Sequence, residues 1–139
     1  MSASFFLDTN IFIYTFDSTE PGKQTAARDL VKRALDGEGC ISWQVIQEFS
    51  NAALKKFRQP MPLEQLGSYI DRILLPLCTI WPDERIYREA LVVKIETGFS
   101  WYDSLITASA LRSGVSILYS EDLQSGRTLR GMKITNPLQ

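Results

Sequence analysis

Four acidic residues, Asp8, Glu48, Asp103 and Asp122, occur where carboxylates can do chemistry. Asp8 and Asp122 each follow a short apolar run that is typical of a buried strand. Glu48 and Asp103 lie near the starts of two segments with helical periodicity. In a parallel sheet the carboxyl ends of the strands and the N-termini of the following helices share one edge. The four carboxylates are therefore expected to meet at that edge.

Each acid also has a purely structural interpretation. Asp8 could cap the helix that follows it, and Asp122 could serve as a turn residue. Glu48 could be a carboxylate on the flank of its helix. Asp103 stands three residues after Ser100, which is the spacing of a capping box with Asp in place of Glu. These interpretations remain open beside the chemical one, because a capping carboxylate can also bind a metal ion.

Carboxylates that share one crevice repel each other unless a positive charge compensates them. The sequence has no histidine, which excludes histidine-based triads and histidine-ligated zinc. No lysine adjoins the four acids in the sequence, so the expected compensation is a divalent cation. Oxygen ligands of this kind suit Mg²⁺ or Mn²⁺. Such an ion can activate water and neutralise charge on a phosphodiester, so metal-assisted phosphodiester hydrolysis is the predicted chemistry.

Short apolar strands alternate with helical segments along the chain. The predicted strands cover residues 4–7, 40–41, 78–80, 117–119 and 132–134, and the predicted helices cover residues 10–16, 21–36, 42–58, 63–75, 83–97 and 100–113. Ser42 is predicted to cap its helix, and Pro76 to end another. This alternation predicts a three-layer α/β/α fold with a central, short-stranded parallel sheet, Rossmann-like in its layering. The length of 139 residues favours one domain over residues 1–139.

Composition narrows the setting in which this chemistry would take place. The formal net charge of −1 gives no global basic field, so nucleic-acid binding would depend on local patches or bridging metal ions. We expect no membrane association, because no apolar run approaches the roughly 18 residues of a spanning helix. The N-terminus lacks the pattern of a signal peptide. Cys40 and Cys78 are expected to be free thiols, which indicates a reducing cytoplasm.

Taken in order, four segments resemble the PIN domain, and more narrowly the VapC-type toxins of bacterial toxin–antitoxin pairs. The resemblance covers nearly the whole chain, and its motifs are Asp8-Thr9-Asn10, Glu48, Trp101-Tyr102-Asp103-Ser104-Leu105-Ile106 and Leu118-Tyr119-Ser120-Glu121-Asp122-Leu123. The closing stretch at residues 131–137 resembles the end of one subgroup. Any one motif is weak, but the ordered set on an α/β background is fairly specific.

The resemblance implies a Mg²⁺- or Mn²⁺-dependent endoribonuclease that hydrolyses RNA, with the four acids as its catalytic and metal-binding quartet. Asp8 and Asp103 would be the principal ligands of one ion. Asn10 and Ser120 match the polar positions that support the first and last acids, and Ser120 stands where many relatives have Thr. The resemblance also implies the toxin role in a type II pair, a homodimer, and a small VapB-like antitoxin that blocks the acidic pocket.

RNA would need contacts outside the acidic centre. The candidates are two basic clusters, Lys55, Lys56 and Arg58 and then Arg127, Arg130 and Lys133, and three aromatic residues, Trp43, Trp101 and Tyr102. Each cluster could equally be a solvated face, and each aromatic side chain could belong to the core. The helix over residues 63–75 is a candidate dimer face because of its apolar content.

Two other classes of protein share part of this pattern. A receiver-type phosphoacceptor domain also carries acids at strand ends, but it needs a lysine after a late strand, where this chain has Tyr119-Ser120. A catalytically silent PIN-like module that binds RNA or protein is the stronger alternative. A missing acid would favour that module, but all four are present.

Overall fold

The computed structural model describes residues 3–139 and contains a six-stranded sheet. The strands are β1 (Phe5–Leu7), β2 (Gly39–Ser42), β3 (Cys78–Ile80), β4 (Ile117–Tyr119), β5 (Thr128–Leu129) and β6 (Met132–Thr135). Their order in the sheet is β3-β2-β1-β4-β6-β5. Five strands run parallel, and β5 pairs with β6 in the antiparallel sense.

Helices flank the sheet in the α/β layering that the sequence predicts. They are α1 (Thr9–Tyr14), α2 (Pro21–Arg33), α3 (Trp43–Lys55), α4 (Leu63–Tyr69), α5 (Leu75–Leu77), α6 (Glu84–Thr97) and α7 (Trp101–Ser113). No helix within residues 3–139 is long and apolar enough to cross a bilayer. Both cysteines are free thiols, as expected.

Strand β1 lies at the centre of the sheet, and all three of its residues are buried. Phe6 pairs with Cys40 of β2 on one side and with Leu118 of β4 on the other. The strand order therefore reverses at β1: β2 and β3 lie on one side of it, and β4, β6 and β5 lie on the other. Ligands of open α/β sheets bind at such a switch point, outside the carboxyl ends of the strands. Asp8 is the first residue beyond β1 at this position.

Several helix ends agree with the sequence predictions. The Asp83 carboxylate accepts a hydrogen bond from the Ile86 backbone at 2.9 Å, and α6 ends at Gly98. Helix α7 ends at Gly114. Ser42 does occupy the N-cap position of α3, but its hydroxyl caps nothing. That hydroxyl is buried and makes no hydrogen bond to the described residues, so the predicted side-chain cap is wrong.

The sheet is parallel as predicted except at β5, an antiparallel edge strand that the sequence pattern does not reveal. β5 and β6 form a hairpin whose two turn residues, Arg130 and Gly131, both have positive φ, 50° and 83°. A turn with two positive φ angles matches the twist of paired strands, and glycine favours it. A strand of two residues has no periodicity to detect, which is why β5 leaves no signal in the sequence.

Pro76 does not end its helix, contrary to prediction. Beyond α4 the chain stays helical. It passes through a π-helical turn at Ile70–Leu74 into α5, which ends at Leu77. Pro76 falls in the first turn of α5, where its missing N–H costs no hydrogen bond. Similarly, α2 ends at Arg33 and passes into a wide turn at Ala34–Glu38.

Candidate functional site

Asp8 is a buried carboxylate held by two neutral donors. Its side chain is 5% exposed. Oδ1 accepts a hydrogen bond from the Thr9 backbone at 2.7 Å, so Asp8 does cap α1. Oδ2 accepts a hydrogen bond from the Ser120 hydroxyl at 2.7 Å, which joins the end of β1 to the end of β4. The Ser120 hydroxyl therefore contacts the first acid directly, and it also accepts a hydrogen bond from the Leu123 backbone at 3.3 Å.

The charge on Asp8 is not compensated by the chain. Burial raises the pKa of Asp8 from 3.8 to about 7, and the charges of Glu48 and Asp122 add to the rise. The hydrogen bonds from Ser120 and Thr9 offset only part of it. No lysine or arginine among the described residues forms an ion pair with any of the four acids. Ionised Asp8 would therefore be stabilised by a cation from outside the chain.

Glu48 is held by residues from two helices. Thr9 of α1 donates its hydroxyl to Oε1 at 2.6 Å. Gln44, one turn earlier on α3, donates its amide nitrogen to Oε2 at 3.2 Å. The same nitrogen donates to the Tyr102 carbonyl in the first turn of α7, at 3.0 Å. Neither donor was predicted from the sequence, although a Gln and a Glu four residues apart on a helix are a recognisable pair.

Asp103 lies in the first turn of α7 and is half-buried. Its backbone N–H donates to the Ser100 hydroxyl at 3.2 Å, so the capping spacing is used. The Asp103 carboxylate makes no hydrogen bond to the described part of the chain, and it raises the pKa of Asp122. Capping by Ser100 therefore uses only the Asp103 backbone, and the Asp103 carboxylate stays available near Asp122.

Asp122 lies in the segment that follows β4, as an exposed residue beside the buried Leu123. Burial by its surroundings raises its pKa, and the charges of Glu121 and Asp103 contribute. The nearby Asn10 amide acts in the opposite direction. Both polar atoms of that amide are buried and lack a hydrogen bond of good geometry to the described residues. Asn10 is thus available for a water molecule or an ion at this edge.

The four acids are close enough to influence one another. Glu48 and Asp122 each act on the pKa of Asp8, and Asp103 acts on that of Asp122. Within residues 3–139, however, no three acidic or cysteine side chains converge tightly enough to form a ready-made metal site. The side-chain atoms that could bind a metal ion here are oxygens. The buried carboxylate among them, Asp8, lacks a positively charged partner. This donor set fits Mg²⁺ or Mn²⁺, which commonly bind through one or two carboxylates with water filling the remaining positions.

A neighbouring carboxylate, Glu121, has the cation that the four acids lack. Lys23 forms an ion pair with Glu121 at 2.8 Å, and the Tyr14 hydroxyl donates to it at 2.7 Å. Lys23 thus lies near the segment that carries Asp122, although it pairs with Glu121 and not with any of the four acids. The residues involved are 98 positions apart in the chain, so sequence proximity could not show the contact.

The second basic cluster is largely engaged within the protein. Arg127 donates to the Glu96 carbonyl at 3.3 Å, and its guanidinium lies 5.4 Å from the centre of the Phe99 ring. Arg130 forms an ion pair with Glu96. Lys133 is exposed and forms no such ion pair among the described residues. These two arginines therefore attach the β5–β6 hairpin to the end of α6.

The first basic cluster faces a different part of the surface. Lys56 and Arg58 line a cleft of about 1140 Å³ together with the half-exposed Phe16. None of the four acids lines this cleft. The structure thus separates these cations from the acidic edge of the sheet.

Of the three aromatic candidates for base stacking, one is open to solvent. Trp43 is 8% exposed and packs edge-on against Tyr87. Trp101 packs against the smaller of two apolar clusters. Tyr102 is 65% exposed and directly precedes Asp103. Tyr102 is therefore the aromatic side chain best placed to meet a base beside the acids.

One family model matches most of this chain. The sequence profile of the PIN domain matches residues 5–128. No curated protein matches the sequence significantly.

Three solved structures share the fold. A chain of a toxin–antitoxin complex from Klebsiella pneumoniae is 20% identical with a TM-score of 0.67, covering 96% of this chain and 98% of that one. A chain of FitAB bound to a DNA fragment is 16% identical with a TM-score of 0.64, covering 97% and 96%. A chain of VapBC2 from Rickettsia felis, bound to a promoter fragment, is 18% identical with a TM-score of 0.60, covering 95% and 97%. With the profile match over most of its length, the chain belongs to the PIN domain family.

Proposed function

We propose that this PIN domain is a Mg²⁺- or Mn²⁺-dependent endoribonuclease. The observation that carries the proposal is Asp8, a buried carboxylate at the switch point of the sheet whose pKa is raised to about 7. Its charged neighbours are the acids Glu48 and Asp122 rather than bases. Strongly perturbed carboxylates in such a position are typical of functional sites.

Asp8 and Asp103 would be the principal metal ligands, with Glu48 and Asp122 completing the pocket. A bound Mg²⁺ or Mn²⁺ would supply charge neutralisation for the phosphodiester and a water of lowered pKa. The remaining work belongs to the chain. Ser120 and the Thr9 backbone fix both oxygens of Asp8, and the Thr9 hydroxyl fixes Glu48.

A cleavage assay tests this proposal directly. A mixed RNA pool is incubated with the protein and Mg²⁺ or Mn²⁺, with and without chelator. Degradation should require the ion and should be lost in Asp8→Asn. Asp71→Asn is the matched control, because Asp71 is an exposed aspartate outside the quartet. Intact RNA under several divalent ions would contradict the nuclease proposal.

A catalytically silent RNA- or protein-binding module remains the second candidate. The observation that favours it is that no three acids of residues 3–139 form a ready-made metal site. Such a module would bind RNA equally well with chelator present and would leave it intact. RNA binding that is indifferent to both metal ion and Asp8→Asn would select this candidate.

We further propose that the protein is the toxin of a pair with a VapB-like antitoxin. Similarity to a chain of a complex described as a toxin–antitoxin complex, and to a chain of VapBC2, supports this role. Induced expression in a bacterial host should arrest growth, and Asp103→Asn should relieve the arrest. Growth at the normal rate with active wild-type enzyme would contradict the toxin role. A small adjacent gene for a DNA-binding protein with a flexible tail would identify the antitoxin.

We also propose that the protein forms a homodimer, and two surfaces are candidates for its interface. The sequence favours residues 63–75, where Leu63 is 75% exposed. Helix α6 exposes more apolar surface, with Leu91 at 53%, Val92 at 47% and Ile95 at 86%. Light scattering on Ile95→Lys and Leu63→Lys separates the two surfaces, because only the variant at the true interface should become monomeric. A wild-type monomer at micromolar concentration would contradict the dimer.

A further inference from the structure

Gln44 is a buried side chain that joins two parts of the candidate site. It is 3% exposed, and its amide nitrogen donates both to Glu48 and to the carbonyl of Tyr102. We propose that Gln44 is a positioning residue: it orients the Glu48 carboxylate and attaches it to the turn of α7 that carries Asp103, and it thereby strengthens divalent-cation binding. This inference rests on the metal-dependent function proposed above.

The orientation of the Gln44 amide is fixed by its surroundings. A carboxylate oxygen of Glu48 and the carbonyl of Tyr102 are both acceptors, so only the NH₂ end of the amide can face them. The two hydrogens of that group match the two acceptors, at 3.2 Å and 3.0 Å. The opposite orientation would place three acceptor oxygens together.

The oxygen atom of the same amide indicates that Gln44 does not serve stability alone. Its carbonyl oxygen is buried and makes no hydrogen bond to the described residues. A buried polar atom without a partner costs stability, and an apolar side chain of similar size would avoid that cost. The two bonds that Gln44 does make both lead into the candidate site.

Gln44 completes a connection among three helices. Thr9 holds one oxygen of Glu48 from α1, and Gln44 holds the other from within α3. The bond to Tyr102 extends the connection to α7, one residue before Asp103. Groups that orient metal ligands in this way strengthen metal binding although they do not touch the ion.

The first test measures Mn²⁺ binding to the RNA-free protein by calorimetry or electron paramagnetic resonance. Gln44→Met removes both donors at similar volume, and Gln47→Met makes the same change at an exposed position of the same helix. Gln44→Met should weaken Mn²⁺ binding by about tenfold or more. Gln47→Met should stay within about twofold of wild type. Equal Mn²⁺ affinity in the two variants would overturn the inference.

In the cleavage assay the same variants separate positioning from general damage. The Mn²⁺ concentration for half-maximal cleavage should rise about tenfold in Gln44→Met, while the rate at saturating Mn²⁺ should fall much less. Circular dichroism verifies folding. If Gln44→Met does not fold, Gln44→Leu paired with Gln47→Leu replaces it. An unshifted Mn²⁺ dependence in the folded variant would also overturn the inference.

A second test needs no metal ion and no activity. Hydrogen exchange of the start of α7, residues 101–106, reports whether Gln44 restrains that turn. Loss of its bond to Tyr102 should speed exchange there about fivefold, with no change in Gln47→Met. Wild-type exchange rates in Gln44→Met would overturn the proposed attachment. If wild-type protein binds no Mn²⁺, the proposed function and the affinity claim both fail, and the exchange rates alone decide the attachment.

Discussion

Two carboxylates at the same edge of the sheet have different partners and opposite pKa shifts. Asp8, after β1, has only neutral donors, and burial raises its pKa to about 7. Glu121 lies two residues beyond β4, where partial burial alone would raise its pKa. The bonds from Lys23 and Tyr14 instead bring the pKa of Glu121 below its usual value.

The difference separates acids that have partners within the fold from Asp8, which has no cationic partner among the described residues. Asp83, at the start of α6, follows the pattern of Glu121: a backbone hydrogen bond from Ile86 and the partner Arg112 lower its pKa. The chain thus supplies donors and cations to its structural carboxylates. It supplies no cation to Asp8, which is more deeply buried than either. The proposed metal ion would supply a positive charge for Asp8.

The largest expected effect comes from substituting the two acids in parallel. Asp8→Asn should reduce Mg²⁺-dependent RNA cleavage by about 1000-fold or more, because several kcal/mol of charge stabilisation would be lost with the ligand. Glu121→Gln should retain most of the activity. Initial rates at saturating Mg²⁺ measure both. A comparable loss in Glu121→Gln would show that the two carboxylates do not differ in role.

The raised pKa of Asp8 predicts an unusual dependence of stability on pH in metal-free protein. The ordinary pKa of an aspartate is 3.8, and that of Asp8 in the fold is about 7, so the folded state holds the proton between these values. Stability contributed by Asp8 is therefore complete below about pH 4 and is lost as pH rises through about 7. The loss amounts to at most about 4 kcal/mol. Urea unfolding of wild type and Asp8→Asn at several pH values isolates this contribution.

In that experiment the Asp8→Asn variant serves as the reference for the wild-type protein. Other acids titrate in the same range, but those that do not interact with Asp8 contribute equally to both proteins. The difference in unfolding free energy between wild type and Asp8→Asn should therefore shift in favour of the variant from pH 4 to pH 7. Parallel pH profiles would mean that Asp8 has an ordinary pKa in the fold.

Much of this arrangement was predictable from the sequence, because the signals are local. Apolar runs that end at an acid located Asp8 and Asp122, and helical periodicity located Glu48 and Asp103. The α/β alternation predicted the sheet and the layer of helices, which the structure confirms. The predicted roles of the four acids in metal binding and catalysis remain to be tested.

What the sequence did not reveal depends on long-range approach. Thr9 reaches Glu48 across 39 positions, and Lys23 reaches Glu121 across 98. No local pattern marks which polar side chains will face each other after folding. The bond from Gln44 to Tyr102 is of the same kind, spanning 58 positions.

Metal binding offers a third way to separate the two acids. Mn²⁺ at about 100 times its dissociation constant should stabilise wild type by roughly 3 kcal/mol, because it binds only the folded state. Glu121→Gln should show the same gain, and Asp8→Asn should show almost none. Urea unfolding with and without Mn²⁺ measures the difference. Equal stabilisation of all three proteins would locate the ion away from Asp8.

The smallest effect is expected at the compensated acid itself. Glu121→Gln removes the charge that pairs with Lys23 but keeps an acceptor for Tyr14, so its melting temperature should fall by only roughly 2–4 °C in metal-free protein. The side chains of Lys23 and Glu121 are 33% and 23% exposed, and added salt should therefore shrink the difference. Asp8→Asn should melt no lower than wild type at pH 8, because a neutral amide avoids the cost of a buried charge. Calorimetry on both variants at pH 8 makes the comparison. If Asp8→Asn were the less stable of the two, the buried carboxylate would be part of the structural framework, and the contrast with Glu121 would disappear.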